Sequence, residues 1–122
     1  MAEEITVSGS LQVTKDGVTD TIAKIGLSVD MTGGDITHRT QTVGNSEEAL
    51  GMLDAGTPGF CLIKNLDSTN YVEVRQATGI ADLIRINAGE FALFRFAADA
   101  TAPFVIASHS DGVIIEYLLI EA

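Results

Sequence analysis

Apolar and polar residues alternate with a period of two through most of this chain, in short runs separated by turn-forming residues. Ile5, Val7, Leu11 and Val13 alternate with Thr6, Ser8, Ser10, Gln12 and Thr14, the pattern of a strand with one apolar face. Lys15-Asp16-Gly17 follows, and Asp-Gly between alternating runs is the strongest short hairpin signal, because both central residues need positive φ. The return run is predicted to put Ala23, Ile25, Leu27, Val29 and Met31 on one face and Lys24, Gly26, Ser28 and Asp30 on the other. After a break at Thr32-Gly33-Gly34-Asp35, the segment Ile36 to Val43 is rich in Thr and nearly all polar. That composition suits an edge strand or a strand lying on a partner.

The centre of the pattern is Gly59 to Val74. Phe60 and Leu62 share one parity and Cys61 and Ile63 the other, so this run is apolar on both faces and reads as a strand buried between two layers. Asp67-Ser68-Thr69-Asn70 supplies a turn, and the alternation of Tyr71, Glu73 and Arg75 with Val72, Val74 and Gln76 predicts a return strand, hence a central hairpin. A second hairpin is expected from Leu83, Ile84 and Ile86 through Asn87-Ala88-Gly89-Glu90 to Phe91–Phe96. Phe104 to Ala107 and Val113 to Ile120 complete the set around the Asp111-Gly112 turn. Between the two halves, Asn45 as cap, Glu48 three residues on, and Ala49, Leu50, Met52 and Leu53 suggest one or two helical turns or a structured loop over residues 46–54. The prediction is a single all-β domain over residues 1–122, a β-sandwich of about eight or nine strands, jelly-roll-like or Greek-key, with at most one short helical segment.

Charge narrows the partners. Seventeen acidic residues against seven basic give −10, spread along the chain, which disfavours phosphate backbones and anionic membrane surfaces. No apolar run approaches the ~18–20 residues of a membrane span. The acidic start Met1-Ala2-Glu3-Glu4 is unlike a secretory or transit signal, so synthesis in a cytoplasm is expected. The single cysteine, Cys61, excludes an intrachain disulfide and a cysteine-cluster metal site, and its flanks mark it as a buried hydrophobe.

Candidate chemistry is sparse. His38 and His109 belong to no metal-ligand spacing and are expected on an exposed strand and in a loop. Ser108-His109-Ser110-Asp111 holds the residue types of a hydrolytic triad, but neighbours on one turn cannot take the required geometry. The acidic residues lack the spacing of a calcium loop, and Glu73 and Glu116 fall on outward strand faces. No catalytic residue, cofactor or metal is therefore expected. Arg75, Arg85 and Arg95 are read as cross-strand partners of glutamates or, as arginine suits interfaces, as subunit contacts. With Ile36 and Arg39 of the polar strand they form the candidate subunit or capsid interface.

Gly59-Phe60, Ile63-Lys64-Asn65-Leu66-Asp67, Asn70-Tyr71-Val72-Glu73-Val74, Ala88-Gly89-Glu90-Phe91 and Val113 to Glu121 resemble small β-sandwich virion proteins of tailed bacteriophages, over roughly residues 59–122. The resemblance implies a non-enzymatic structural protein. Most plausible is a capsid decoration (cement) protein, made in the host cytoplasm and bound to the outside of a phage head. It further implies a homo-oligomer, with a trimer favoured, and the major capsid protein or another virion protein as partner; no nucleic acid or membrane is implied. A phage tail or head-fibre component and a carbohydrate-binding β-sandwich module are the alternatives. The strand Ile36–Val43 and the arm Met1–Ile5 are expected to add to a neighbour's sheet.

Overall fold

The computed structural model describes residues 3–52, 58–76, 79–97 and 103–121 and is all-β, with ten strands in three antiparallel sheets and no helix among these residues. The alternating N-terminal runs build β1 (Ile5–Lys15) and β2 (Val18–Val29), which among the described residues pair only with each other. Their turn is the one the Asp-Gly signal demands: Asp16 and Gly17 both take positive φ, 52° and 80°.

The remaining strands form two four-stranded sheets. One has the order β3 (Ile36–Val43), β10 (Val113–Glu121), β5 (Pro58–Asn65), β8 (Phe91–Arg95). The other has the order β4 (Glu48–Ala49), β9 (Phe104–Ala107), β6 (Val72–Arg75), β7 (Asp82–Ile86). The alternation of each strand sends one set of side chains inward. Val43, Cys61, Ile63, Val113, Ile115, Tyr117 and Leu119 from the first sheet share one core with Val72, Val74, Ile86, Val105 and Ala107 from the second. Burial pushes the Cys61 thiol up to about 12, so it stays a protonated, space-filling group.

Four expectations are corrected. The central hairpin does not exist: β5 pairs with β10 and β8, whereas β6 pairs with β7 and β9, so the chain crosses from one sheet to the other between them. The physical reason lies in Asn65, which is buried at 2 % exposure and replaces the hairpin's ladder bonds with its own side chain. Its Nδ2 donates to the Asn70 and Ile86 carbonyls, both at 3.0 Å, and its Oδ1 accepts from the Asp67 amide at 2.8 Å. The second hairpin fails in the same way, since β7 lies in one sheet and β8 in the other.

The helical reading over residues 46–54 gives way to strand β4 and a loop, as far as Met52; residues 53 and 54 lie outside the described residues. Here Glu48 does not cap a helix: its carboxylate accepts from the Gln41 amide at 3.0 Å, and the Leu50 amide is taken by the Pro103 carbonyl at 2.9 Å. The fourth correction concerns β2. Val7 pairs with Leu27 but Gly9 pairs with Lys24, so β2 carries an extra residue opposite Ser8. Gly26 takes φ 72° there, and its amide donates to Ser8 Oγ at 2.9 Å. The bulge reverses the parity of β2, so Ile22, not Ala23, lies on the face that carries Leu27.

Candidate functional site

The bulge brings Ile22 and Val18 of β2 onto the face that carries Leu11 and Val13 of β1. In an antiparallel pair, residues opposite each other share a face. The rows Ile5–Val29, Val7–Leu27, Gly9–Lys24, Leu11–Ile22, Val13–Asp20 and Lys15–Val18 therefore fall on one side. Ser10–Ala23, Gln12–Thr21 and Thr14–Thr19 fall on the other.

At its base this apolar face is covered. Ile5 is buried, and Ile5 to Ser8 lie over the outer face of the first sheet, where Phe60, Leu62, Leu93, Leu118 and Ile120 line the groove beneath them. This explains why β5 is apolar on both sides: one side meets the core and the other meets β1. The arm then leaves the body past β8, with Leu93 4.0 Å from where a Gly9 Cβ would stand. From Ser8 to Ser28 every residue is exposed, and Leu11, Val13, Val18 and Ile22 stand 73, 60, 68 and 74 % exposed. A two-stranded hairpin by itself is marginally stable in water, and a bare apolar stripe on a projecting element marks an interaction site.

The outer face of the first sheet is read in rows: Ile36–Ile120–Phe60–Arg95, His38–Leu118–Leu62–Leu93 and Thr40–Glu116–Lys64–Phe91. The first two rows are mainly apolar and the third is charged at its centre. His38 Nε2 stands 2.8 Å from Glu116 Oε2 and Lys64 Nζ 3.7 Å from Oε1. The His38 hydrogen bond and the Lys64 charge hold the Glu116 carboxyl below the usual carboxylate range.

The interface candidates do not gather in one place. Ile36 and Arg95 lie at opposite ends of the first row, with the Arg95 guanidinium 4.9 Å from the centroid of Phe60. Arg39 lies beside Gly51, with its Nη1 3.2 Å from where a Cβ there would stand. Arg75 and Arg85 lie on the second sheet and meet carboxylates. Arg75 reaches Glu47 and Asp82, both at 2.7 Å, and Arg85 reaches Glu73 at 2.9 Å while resting 3.8 Å from the centroid of Tyr71. The cross-strand reading therefore describes Arg75 and Arg85. Sequence reasoning did not select Leu11, Val13, Val18 and Ile22, although the glycine inside β2 was an available sign of a bulge.

The carboxylates set an acid limit. Hydrogen bonding from Arg75 lowers Asp82, and the Asn70 and Thr69 amides lower Asp67 within the β5–β6 turn. With Glu116 these groups are more acidic folded than unfolded. Their contribution is present above the unfolded carboxylate values of ~4 and is lost as pH falls through the lowered ones. The melting temperature is expected to fall with pH below ~5, less steeply in Asp82→Asn than in the wild type. Calorimetric scans of both proteins over that range check it; parallel curves would show that Asp82 carries none of the slope.

Among the described residues no cluster of three or more His, Cys, Asp and Glu is placed to hold a metal ion, and no helix is long and apolar enough to cross a membrane. Cys61 is buried, and His109 uses its Nδ1 to accept the Asp111 amide at 3.1 Å within its own turn. Comparisons with family models, curated proteins and solved structures find nothing that matches this chain.

Proposed function

We propose that this protein is a non-enzymatic structural protein of a phage virion, a decoration protein that binds the outer surface of the head. The observation that carries the reading is the order of the strands. β3 pairs with β10, β4 with β9, β5 with β8 and β6 with β7, as in one long hairpin of eight strands rolled over on itself. Rolling it places successive pairs in opposite sheets, which supports a β-sandwich of jelly-roll type, an architecture used in viral capsids and lectins.

The surface supports the same reading. The projecting arm and the polar edge strand β3 offer contacts for a neighbour, and the overall charge of −10 suits the outside of a DNA-filled shell better than the inside. The alternative of a glycan-binding module needs rings exposed in a loop cluster. Among the aromatic residues, all of which are described, Phe91 alone is exposed, and it lies on a sheet face.

The test is to mix the protein with purified phage heads stripped of accessory proteins. Binding at a copy number near that of the lattice, with raised resistance of the heads to heat, is expected. A protein that leaves the heads unbound at all ratios overturns the reading.

A further inference from the structure

Among the described residues, the two body sheets end in four edge strands, β3, β8, β4 and β7. Three of these edges are blunted. β4 is two residues long, β7 shifts register against β6, and the arm leaves past β8. β3 has none of these devices. It runs from Ile36 to Val43 in unbroken register with β10, contains neither proline nor lysine, and is anchored by the buried Thr37 and Val43.

One bond shows which groups its open side presents. The Glu121 amide donates to the Asp35 carbonyl at 3.3 Å, so Asp35 turns its backbone groups toward β10. Residues alternate in this respect along an antiparallel pair. Ile36, His38, Thr40 and Thr42 therefore turn their N–H and C=O groups to the open edge. The Thr40 carbonyl there accepts from the exposed Arg39 Nε at 3.3 Å.

A second copy fits this edge. Two β3 strands paired antiparallel about a two-fold axis bond through these same residues, and two registers give the longest overlap. With the axis at Arg39, over residues 36–42, the two arginines stand directly opposite each other, a like-charge contact that destabilises. With the axis at Thr40, over residues 37–43, Thr40 faces Thr40, His38 faces Thr42 and Arg39 faces Gln41 of the second copy. The Thr–Thr pair is favourable, and the arginine meets an uncharged side chain. β3 also holds no acidic residue in a chain of net charge −10, so two copies meet less repulsion there than along a strand that carries carboxylates. The arm projects from the opposite edge of this sheet, away from the contact. We propose that β3 is a dimerisation edge, which pairs with β3 of a second copy about Thr40 and joins the two first sheets into one. The inference concerns contact between copies and does not rest on the capsid reading.

The experiment measures solution mass by light scattering on the full chain over a concentration series, without phage heads. A dimer, twice 12.8 kDa, is expected for the wild type. Thr40→Lys and Thr40→Asp each set like charges face to face on the axis and are expected to raise the dissociation constant by about tenfold or more. An equimolar mixture of the two variants sets opposite charges there and is expected to recover the dimer. Thr40→Pro removes an N–H that faces the open edge, a place where a strand tolerates proline, and is expected to give a folded monomer. Circular dichroism of each variant would show a folding defect as such.

A wild type that stays monomeric at every concentration leaves the edge to a strand of another protein and overturns the proposal. So does a trimer, which a single two-fold contact cannot build. A dimer whose mass ignores all three variants places assembly elsewhere on the body. A mixture no tighter than its separate variants removes Thr40 from the axis, and with it the proposed register.

Discussion

Replacing Asn65 by leucine is expected to lower the stability of the fold by about 2–5 kcal/mol, with the volume of the side chain nearly kept. The loss comes from what is left behind. The Ile86 and Asn70 carbonyls lose a donor and the Asp67 amide loses an acceptor, at a point where Asn65 itself is 2 % exposed. Unpartnered buried groups cost about 1–3 kcal/mol each, and the Ile86 carbonyl is the most enclosed of the three. Urea unfolding should show a lower midpoint at unchanged slope. A loss well under 1 kcal/mol would mean that water takes over these bonds and that the crossing between sheets has another cause.

Tyr117→Ala is expected to cost about 3–5 kcal/mol, the range for removing a buried aromatic ring. Tyr117 is 1 % exposed near the middle of β10, and its hydroxyl donates to the Gly51 carbonyl, tying the loop after β4 to the first sheet. Burial raises its pKa, so the hydroxyl keeps its proton at neutral pH. Tyr117→Phe keeps the ring and loses only the hydrogen bond, for about 1 kcal/mol. The contrast between the two variants, read in the same unfolding experiment, separates packing from the tether. Equal losses would show that the tether dominates.

Much of the fold was legible because alternation reports faces directly. The strands at Ile5, Ile36, Gly59 and Val113, the Asp-Gly turn and the burial of Cys61 all follow from period two and turn chemistry. What alternation does not encode is the partner of a strand. Asp67-Ser68-Thr69-Asn70 makes the same local turn whether the next strand pairs with β5 or crosses to the other sheet. The decision rests on Asn65 reaching a carbonyl twenty-one residues away in sequence.

The interaction surface was hidden for a related reason. An apolar face at Leu11 and Val13 says that something covers it and not what does, and within one chain the default cover is the core. The arginines drew attention by type, yet Arg75 and Arg85 already hold carboxylates within their own sheet. The helical reading near Glu48 failed because a capping residue pattern is satisfied equally by contacts across the sheets, here with Gln41.

Strand β10 stands between β3 and β5 although it follows both in the chain. During synthesis β3 and β5 therefore reach water as bare edges, and the first sheet cannot close until Val113–Glu121 has been made. The ladders of β4 with β9, β5 with β8 and β6 with β9 also join segments far apart in sequence, whereas β6 with β7 is local. Folding is thus a late, largely all-or-none event on the milliseconds-to-seconds scale of non-local β topologies. Its hazard is the interval before β10 arrives, when open edges in one nascent chain can pair with those in another.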